Sequence, residues 1–381
     1  MCGELLILAK SLIRHTHGQL TFAFRDEVEQ SALRCRSAIE SSEVVAKMPK
    51  NARFLTVPTA IICFAIARLL IGVAPAWGAQ ALWAADSVGD QIQEFAPSEL
   101  LTTGSPTPTV LNTVGDLTFG IAFDHAENLW VVIDTGSVSE IVEFSVTQLR
   151  DLGSNSAPAP AAVITSASFA NLRGCAFDHK GNLWVADANA GVHEISSAQL
   201  ADGTADLTPA ITMTVPDFSH VNFIEFDKSG DLWASDIDAD KIYELKKKQI
   251  KSSKTVTPAV ILSSATFAEN EQIVFDGGGN LWVANSDGNN VQKFTKKSIK
   301  KSGHPTAAVT ISDDSMTNLD IPSGLAFDAS GDLWVSNYHD GSISEYTTSQ
   351  IKSSGNPTPA VHLTNTSNLL APYQITFGPA D

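Results

Sequence analysis

The segment Ile321 to Tyr346, IPSGLAFDASGDLWVSNYHDGSISEY, returns in close copies along most of the chain, and a repeat of this length leaves few folds open. Aligning the Phe-Asp and Leu-Trp pairs gives Phe123/Trp130, Phe177/Trp184, Phe226/Trp233, Phe275/Trp282 and Phe327/Trp334, with seven residues from Phe to Trp each time. A sixth copy is split. Trp83, in ALWAADSVGDQIQEF, carries its second half, and Phe377, in YQITFGPAD at the C-terminus, carries its first.

Each copy reads as four strands. A short apolar strand (GIAFD, GCAFD, FIEFD, QIVFD, GLAFD) is followed by an Asp-, Gly- and Asn-rich tight turn. The Leu-Trp strand comes next and ends in Asp86, Asp134, Asp187, Asp236, Asn285 or Asn337, side chains suited to an Asx turn. A third strand alternates in character (DQIQEF, SEIVEF, KIYEL, SISEY), a polar connector of about one helical turn follows, and a fourth strand begins after proline. Proline at the start of an outer strand is expected to block pairing with other chains.

Trp-to-Trp spacings of 47, 54, 49, 49 and 52 residues suit a four-stranded propeller blade. The predicted fold is therefore all-β: a six-bladed β-propeller of four-stranded blades occupying residues 82–381. The ring is closed by the C-terminal strand Pro372 to Gly378 pairing with the N-terminal blade. The repeated Trp and Phe are expected to pack between blades rather than to stack on a ligand.

The first 79 residues do not share the repeat. Residues 1–47 are left unassigned, as a leader ahead of a plausible start at Met48. Residues 48–81 have a short basic start, an apolar run from Phe54 to Val73, and small residues spaced Ala-x-Ala at Ala74/Ala76 and Ala79/Ala81. That is the layout of a signal peptide cleaved near 76–81, and Arg68 and Pro58 argue against a retained anchor. A secreted or periplasmic location follows. Cys2, Cys35 and Cys63 lie in this leader, so only Cys175 remains and neither a disulfide nor a cysteine metal site is expected.

Nine Lys/Arg against six acids in residues 1–79 leave −20 of the total net charge of −17 on residues 80–381. So acidic a body is not expected to have nucleic acid or an anionic membrane as its main partner.

The pattern G-(I/L)-A-F-D-x-x-G-(N/D)-L-W-V-(A/S)-(D/N) resembles NHL-type repeats and the six-bladed propellers of the senescence-marker-protein and gluconolactonase group, over essentially all of residues 82–381. The resemblance implies a propeller that serves as a lactonase, a lyase or a binding scaffold. It also implies metal-binding carboxylates and amides at the top mouth of the channel, four residues before the repeat Phe. Those positions hold Tyr373, Phe119, Arg173, Asn222, Glu271 and Ser323, and only Asn222 and Glu271 match such ligands. Two oxygens beside Arg173 fall short of the roughly six a Ca- or Mg-type ion takes, so lactonase activity is not carried over.

The ligand-binding candidates are Arg173, His220, Asn222 and Glu271, polar groups on three consecutive blades. Asp236, Asp238 and Asp240, in DIDAD, resemble the start of a calcium loop, echoed by Asn285, Asp287 and Asn289, but lack the Gly and distal Glu of an EF-hand. The pattern calls for no cofactor, with calcium or another divalent cation as the alternative. Lys246, Lys247, Lys248, Lys251 and Lys254, with Lys296, Lys297, Lys300 and Lys301, form a basic run on the opposite face. No catalytic triad or spaced histidine pair stands out. The reading is an exported, monomeric binding or interaction module for a small molecule, glycan or protein; its rival is a lactone hydrolase or lyase working at the top mouth.

Overall fold

The computed structural model describes residues 80–381 apart from 114–116, 136–137, 154–155, 190, 204, 314, 365–368 and 381. The expectations for residues 1–47, and for 48–81 except its last two residues, lie outside that range. Among the described residues, no helix is long and apolar enough to cross a membrane.

Six antiparallel sheets correspond to the six copies of the repeat. From blade I to blade VI, the innermost strands are Pro372–Pro379, Leu117–Phe123, Leu172–Phe177, Val221–Phe226, Asn270–Phe275 and Pro322–Phe327. Blade I is the composite one. Its inner strand comes from the C-terminus and pairs antiparallel with Gln80–Asp86, with Leu82 opposite Phe377 and Trp83 opposite Thr376. The expected ring closure is what the sheet order shows.

The blades supply one another's cores because a twisted four-stranded sheet is apolar on both faces. Each repeat Trp is at most 2% exposed. Its indole meets the repeat Phe of the next blade edge-on: Trp83–Phe123 at 5.5 Å, Trp184–Phe226 at 6.0 Å, Trp233–Phe275 at 5.7 Å, Trp282–Phe327 at 5.9 Å and Trp334–Phe377 at 6.1 Å between ring centres. Trp130 and Phe177 share one apolar cluster in the same way. Edge-to-face packing of this kind adds about 0.5–1.5 kcal/mol per pair beyond burial. At the closure the fit is tight: a Cβ on Gly378 would come within 2.1 Å of the Phe123 ring.

The outer edges are also covered in a second way, because the connector of the following blade adds a short parallel bridge to five of the six. Gly104 bridges Leu363, Ser156 bridges Leu111, Gly303 bridges Leu262 and Gly355 bridges Ile311, while Lys254–Thr255 pairs with Met213 and Thr214. On blade II, the Leu207 amide donates to the Thr165 carbonyl, 2.8 Å. Backbone groups that would be open to another chain are thereby paired within the ring.

Short connectors carry this out. Those of blades II and III form the helices Val146–Arg150 and Ser197–Asp202, each with a capping box of Ser and Gln. The same Gln donates to the carbonyl before the outer strand, Gln148 to Ala159 and Gln199 to Thr208, both at 2.7 Å. Gln249 and Gln350 repeat the contact with Thr257 and Thr358.

Candidate functional site

All six inner strands shift register just after they begin: between Thr118/Ile121, Leu172/Cys175, Val221/Phe223, Asn270/Ile273, Pro322/Leu325 and, in blade I, at the level of Ala84/Asp86. A bulge frees residues from the ladder and re-aims their side chains. The position four before the repeat Phe falls at this bulge, so Phe119, Arg173, Asn222, Glu271, Ser323 and Tyr373 gather at the top of the central channel. Where the next residue is glycine, neighbouring strands approach closely: a Cβ on Gly120 would lie 2.6 Å from the Arg173 carbonyl, and one on Gly324 would lie 2.4 Å from that of Tyr373. Where it is glutamine, the side chain satisfies a freed amide of the next blade: Gln272 accepts from Leu325 N at 2.9 Å and Gln374 from Ile121 N at 3.1 Å.

Tyr373 is the centre of the cluster. Its ring meets Phe119 at 5.7 Å, Phe223 at 5.1 Å and Tyr338 at 6.2 Å, residues of blades II, IV and VI. Its hydroxyl accepts from the Asn222 side-chain amide at 2.6 Å, and the same amide group donates to Glu271 Oε2 at 2.5 Å. Reaching from blade I to partners in four others, Tyr373 crosses the axis and fills the centre of the mouth. The sequence reading placed it at the right register position but grouped it with the remainder, since one tyrosine in a split copy carries no signal of its own.

Of the four binding candidates, Arg173, Asn222 and Glu271 converge. Asn222 is 1% exposed and Glu271 6%. Burial drives the Glu271 carboxyl up to about 8, the nearby Glu269 charge adds to this, and hydrogen bonds from Tyr373 and Asn222 and the Arg173 charge oppose it. The Tyr373 hydroxyl is likewise raised, by burial first and then by the Glu271 charge. Arg173 lies over the Phe119 ring, 4.2 Å from its centre. Its Nε and Nη1, and Asn222 Oδ1, are buried with no hydrogen-bond partner. Next to the Arg173 guanidinium a cavity of about 270 Å³ opens between blades II and III, with Asp134, Ser139, Asn171 and Asn189 among its walls. His220 stands on the rim, 3.5 Å from Asp238.

The three carboxylates of DIDAD face three different ways. Asp236 is fully buried and accepts from Ser219, His220 and Ala239 amides, at 2.6, 3.0 and 3.0 Å. Asp238 pairs with His220, and Asp240 accepts from Glu269 N in the next blade, 2.8 Å. The role of Asp236 recurs at Asp86, Asp187, Asn285 and Asn337, each of which takes an amide from the start of its blade's inner strand. These residues hold loops. Nor does the channel-top set suit the divalent ion the resemblance implies: one carboxyl that burial keeps protonated, one amide oxygen and a guanidinium do not make an oxygen cage.

A second network, at the bottom, escaped sequence reasoning. The first-turn Asp accepts from the repeat indole: Asp124 from Trp130 at 3.1 Å, Asp178 from Trp184 at 3.3 Å and Asp276 from Trp282 at 3.2 Å. In those blades an Asn four residues after the Asp donates to it. Blades IV and VI have Asp231 and Asp332 there instead, which leaves Asp227/Asp231/Glu244 and Asp328/Asp332/Glu345 as groups whose oxygens lie within 4.8 Å of one another. In these two blades the indole bond is 3.5 Å long at Trp334 and missing at Trp233. Lys246 supplies the counter-charge in blade IV, 3.2 Å from Asp231 and 2.5 Å from Glu244. The sequence signal was the change from Asn to Asp at one turn position.

Among solved structures, the fold is similar to a protein of unknown function from Bacteroides caccae, at 11% identity over 79% of this chain and 99% of the other, with a TM-score of 0.56. A streptogramin B lyase shares 17% identity over 61% of this chain, with a TM-score of 0.41, and the match spans 66% of that lyase, just under two thirds of its length. Virginiamycin B lyase from Staphylococcus aureus gives 14% identity over 61% of this chain and 67% of its own, TM-score 0.41. At such identities the likeness concerns the fold. No family model matches the sequence, and no curated protein sequence does.

Proposed function

We propose that this chain is an exported, NHL-like propeller that acts as a binding module, taking a small polar ligand at the top mouth beside Arg173, between blades II and III. The observation that carries the reading is Arg173: a guanidinium stacked on Phe119, with two buried nitrogens that find no acceptor, beside a polar cavity. Buried donors are nearly always paired in folded proteins, so a cation left this way suits an arriving acceptor. Asp134, Asn171 and Asn189 on the cavity wall can meet hydroxyl or amide groups of the same ligand. A hydroxyl-rich molecule that also bears a carboxylate fits this set. Export rests on the leader pattern of residues 48–81.

One observation favours the rival enzyme, a lactone hydrolase or lyase. Glu271, in contact with Asn222 and held protonated to about 8, has the acidity of a neutral-pH acid or base. Tyr373 and Asn222 enclose that carboxyl, however, so a substrate reaches it only if they move. Ligand-observed NMR with a panel of neutral sugars and sugar acids tests the binding reading. For any acid that binds, Arg173→Ala should weaken binding by about 1–3 kcal/mol with melting nearly unchanged. Equal binding by Arg173→Ala and Glu271→Gln would overturn the site, and turnover of a lactone that Glu271→Gln abolishes would favour the enzyme.

A further inference from the structure

The connectors of the six blades hold the same place in the repeat but differ in charge. Those of blades IV and V, KKKQIKSSKTVTP and TKKSIKKSGHPT, contain nine lysines and no acid, in a chain whose net charge is −17. The connectors of blades II and III carry Asp151, Asp202 and Asp206 in the same region. Lys246 is consumed by Asp231 and Glu244. The other eight are exposed, and among the described residues none of them forms an ion pair.

The platform beneath them is fixed while the charged heads are free. Ile250 and Ile299 anchor the two connectors in the core. Lys247 N donates to Asp231 at 2.7 Å and Lys296 N to Asn280 at 3.0 Å, which fixes the backbone. The stems of Lys247 and Lys296 lie against the first-turn glycines Gly230 and Gly279. The two basic connectors belong to adjacent blades, and each reaches back to the blade before it, Lys254 to the outer strand of blade III and Gly303 to that of blade IV.

We propose that this bottom face docks an extended anionic polysaccharide whose charges are carboxylates, such as a polyuronate. Three features select that partner. All eight free cations are lysine, a hydrated point charge that suits diffuse pairing along a charged chain rather than a bidentate grip on one group. No aromatic residue lies within either connector to stack on nucleic-acid bases. None of the exposed large apolar side chains, Val88, Leu101, Leu117, Val138, Met316 and Leu370, belongs to the patch, so nothing there inserts into a membrane interface. A flexible chain can follow the arc of lysines while staying clear of the acidic surface around it.

The test uses oligogalacturonate of about ten to twenty units as the probe, with binding by the intact protein followed calorimetrically at about 20 mM and 200 mM salt. Binding is expected at low salt, falling about tenfold or more at the higher salt as the exposed charges are screened. The quadruple variant Lys247→Glu, Lys248→Glu, Lys296→Glu, Lys297→Glu should lose at least tenfold in affinity while its melting temperature stays close to the parent's. A milder set with Gln at the same four positions, losing less than the Glu set, guards against misfolding as the cause. The inference is overturned if oligogalacturonate does not bind at low salt or if the Glu variant binds as tightly as the parent. It is equally overturned if duplex DNA or phosphatidylglycerol vesicles of matched charge bind more tightly than the oligogalacturonate.

Discussion

Removing the Asp86 carboxylate should open the ring at its seam. It is fully buried and accepts four amides: Val88 at 3.2 Å and Gly89 at 2.8 Å from its own turn, and Leu370 at 2.6 Å and Ala371 at 3.1 Å from the start of the closing strand. In Asp86→Ala the two turn amides can turn to water, but Ala371 is 4% exposed and its amide is left without an acceptor. An orphaned buried amide costs about 1–3 kcal/mol and a lost hydrogen bond to a charged group about 1.5–3 kcal/mol. Because the four bonds are not additive, the expected total is about 3–5 kcal/mol. Urea unfolding followed by tryptophan fluorescence and by circular dichroism reads this directly, since every repeat Trp lies between blades. Asp86→Asn supplies the control. Blades V and VI carry Asn285 and Asn337 at the equivalent place, each accepting an amide through its side-chain oxygen. The Asn variant should therefore lose only about 1 kcal/mol. An Asp86→Ala protein with the parent's midpoint, or an Asp86→Asn protein as damaged as Asp86→Ala, would refute the argument.

Deleting Pro372 to Asp381 should abolish cooperative unfolding or cause aggregation, because the inner edge of Gln80–Asp86 loses its partner; an unchanged melting temperature would contradict the closure. Glu271 has a folded pKa near 8, above its unfolded value of about 4.3, so its contribution to stability is fully present below about pH 4 and is lost as pH rises through 8. Glu271→Gln should flatten the decline in stability between about pH 5 and 8, with Glu225, raised by burial to about 7, leaving a residual slope of the same sign. A parent protein equally stable across that range would contradict the assignment. Lys246→Met should cost about 1–3 kcal/mol at neutral pH, where Asp227, Asp231 and Glu244 then repel one another, and part of the loss should return in acid as carboxyls protonate; a pH-independent loss would point to packing instead.

The architecture was legible because each blade restates it. Phe and Trp at fixed separation gave the blades, and the half-copies at Trp83 and Phe377 gave the closure. The same register placed Arg173, Asn222 and Glu271 at one level of the channel before any contact was visible. What the repeat could not reveal was contact between unlike positions. Tyr373 fills the centre of the mouth among side chains of four other blades, and no spacing along the chain encodes that meeting. His220 was drawn into the candidate set by its nearness to Asn222 along the chain, yet it precedes the strand Val221–Phe226 and the register shift within it, and its ring faces Asp238. The cover over the outer edges was not foreseen because the covering segment of each belongs to the next repeat.

The seam also has a direction. Gln80 lies opposite Pro379 and Asp86 opposite Pro372, so the two ends of the ring emerge side by side at the bottom of one antiparallel pair. Tension applied between them would load the pair's hydrogen bonds singly, from Gln80/Pro379 upward, as teeth of a zip and not as a sheared lap joint. A ring held by six apolar clusters would then yield to a small pulling force at this one line, peeling until the strain reached Asp86.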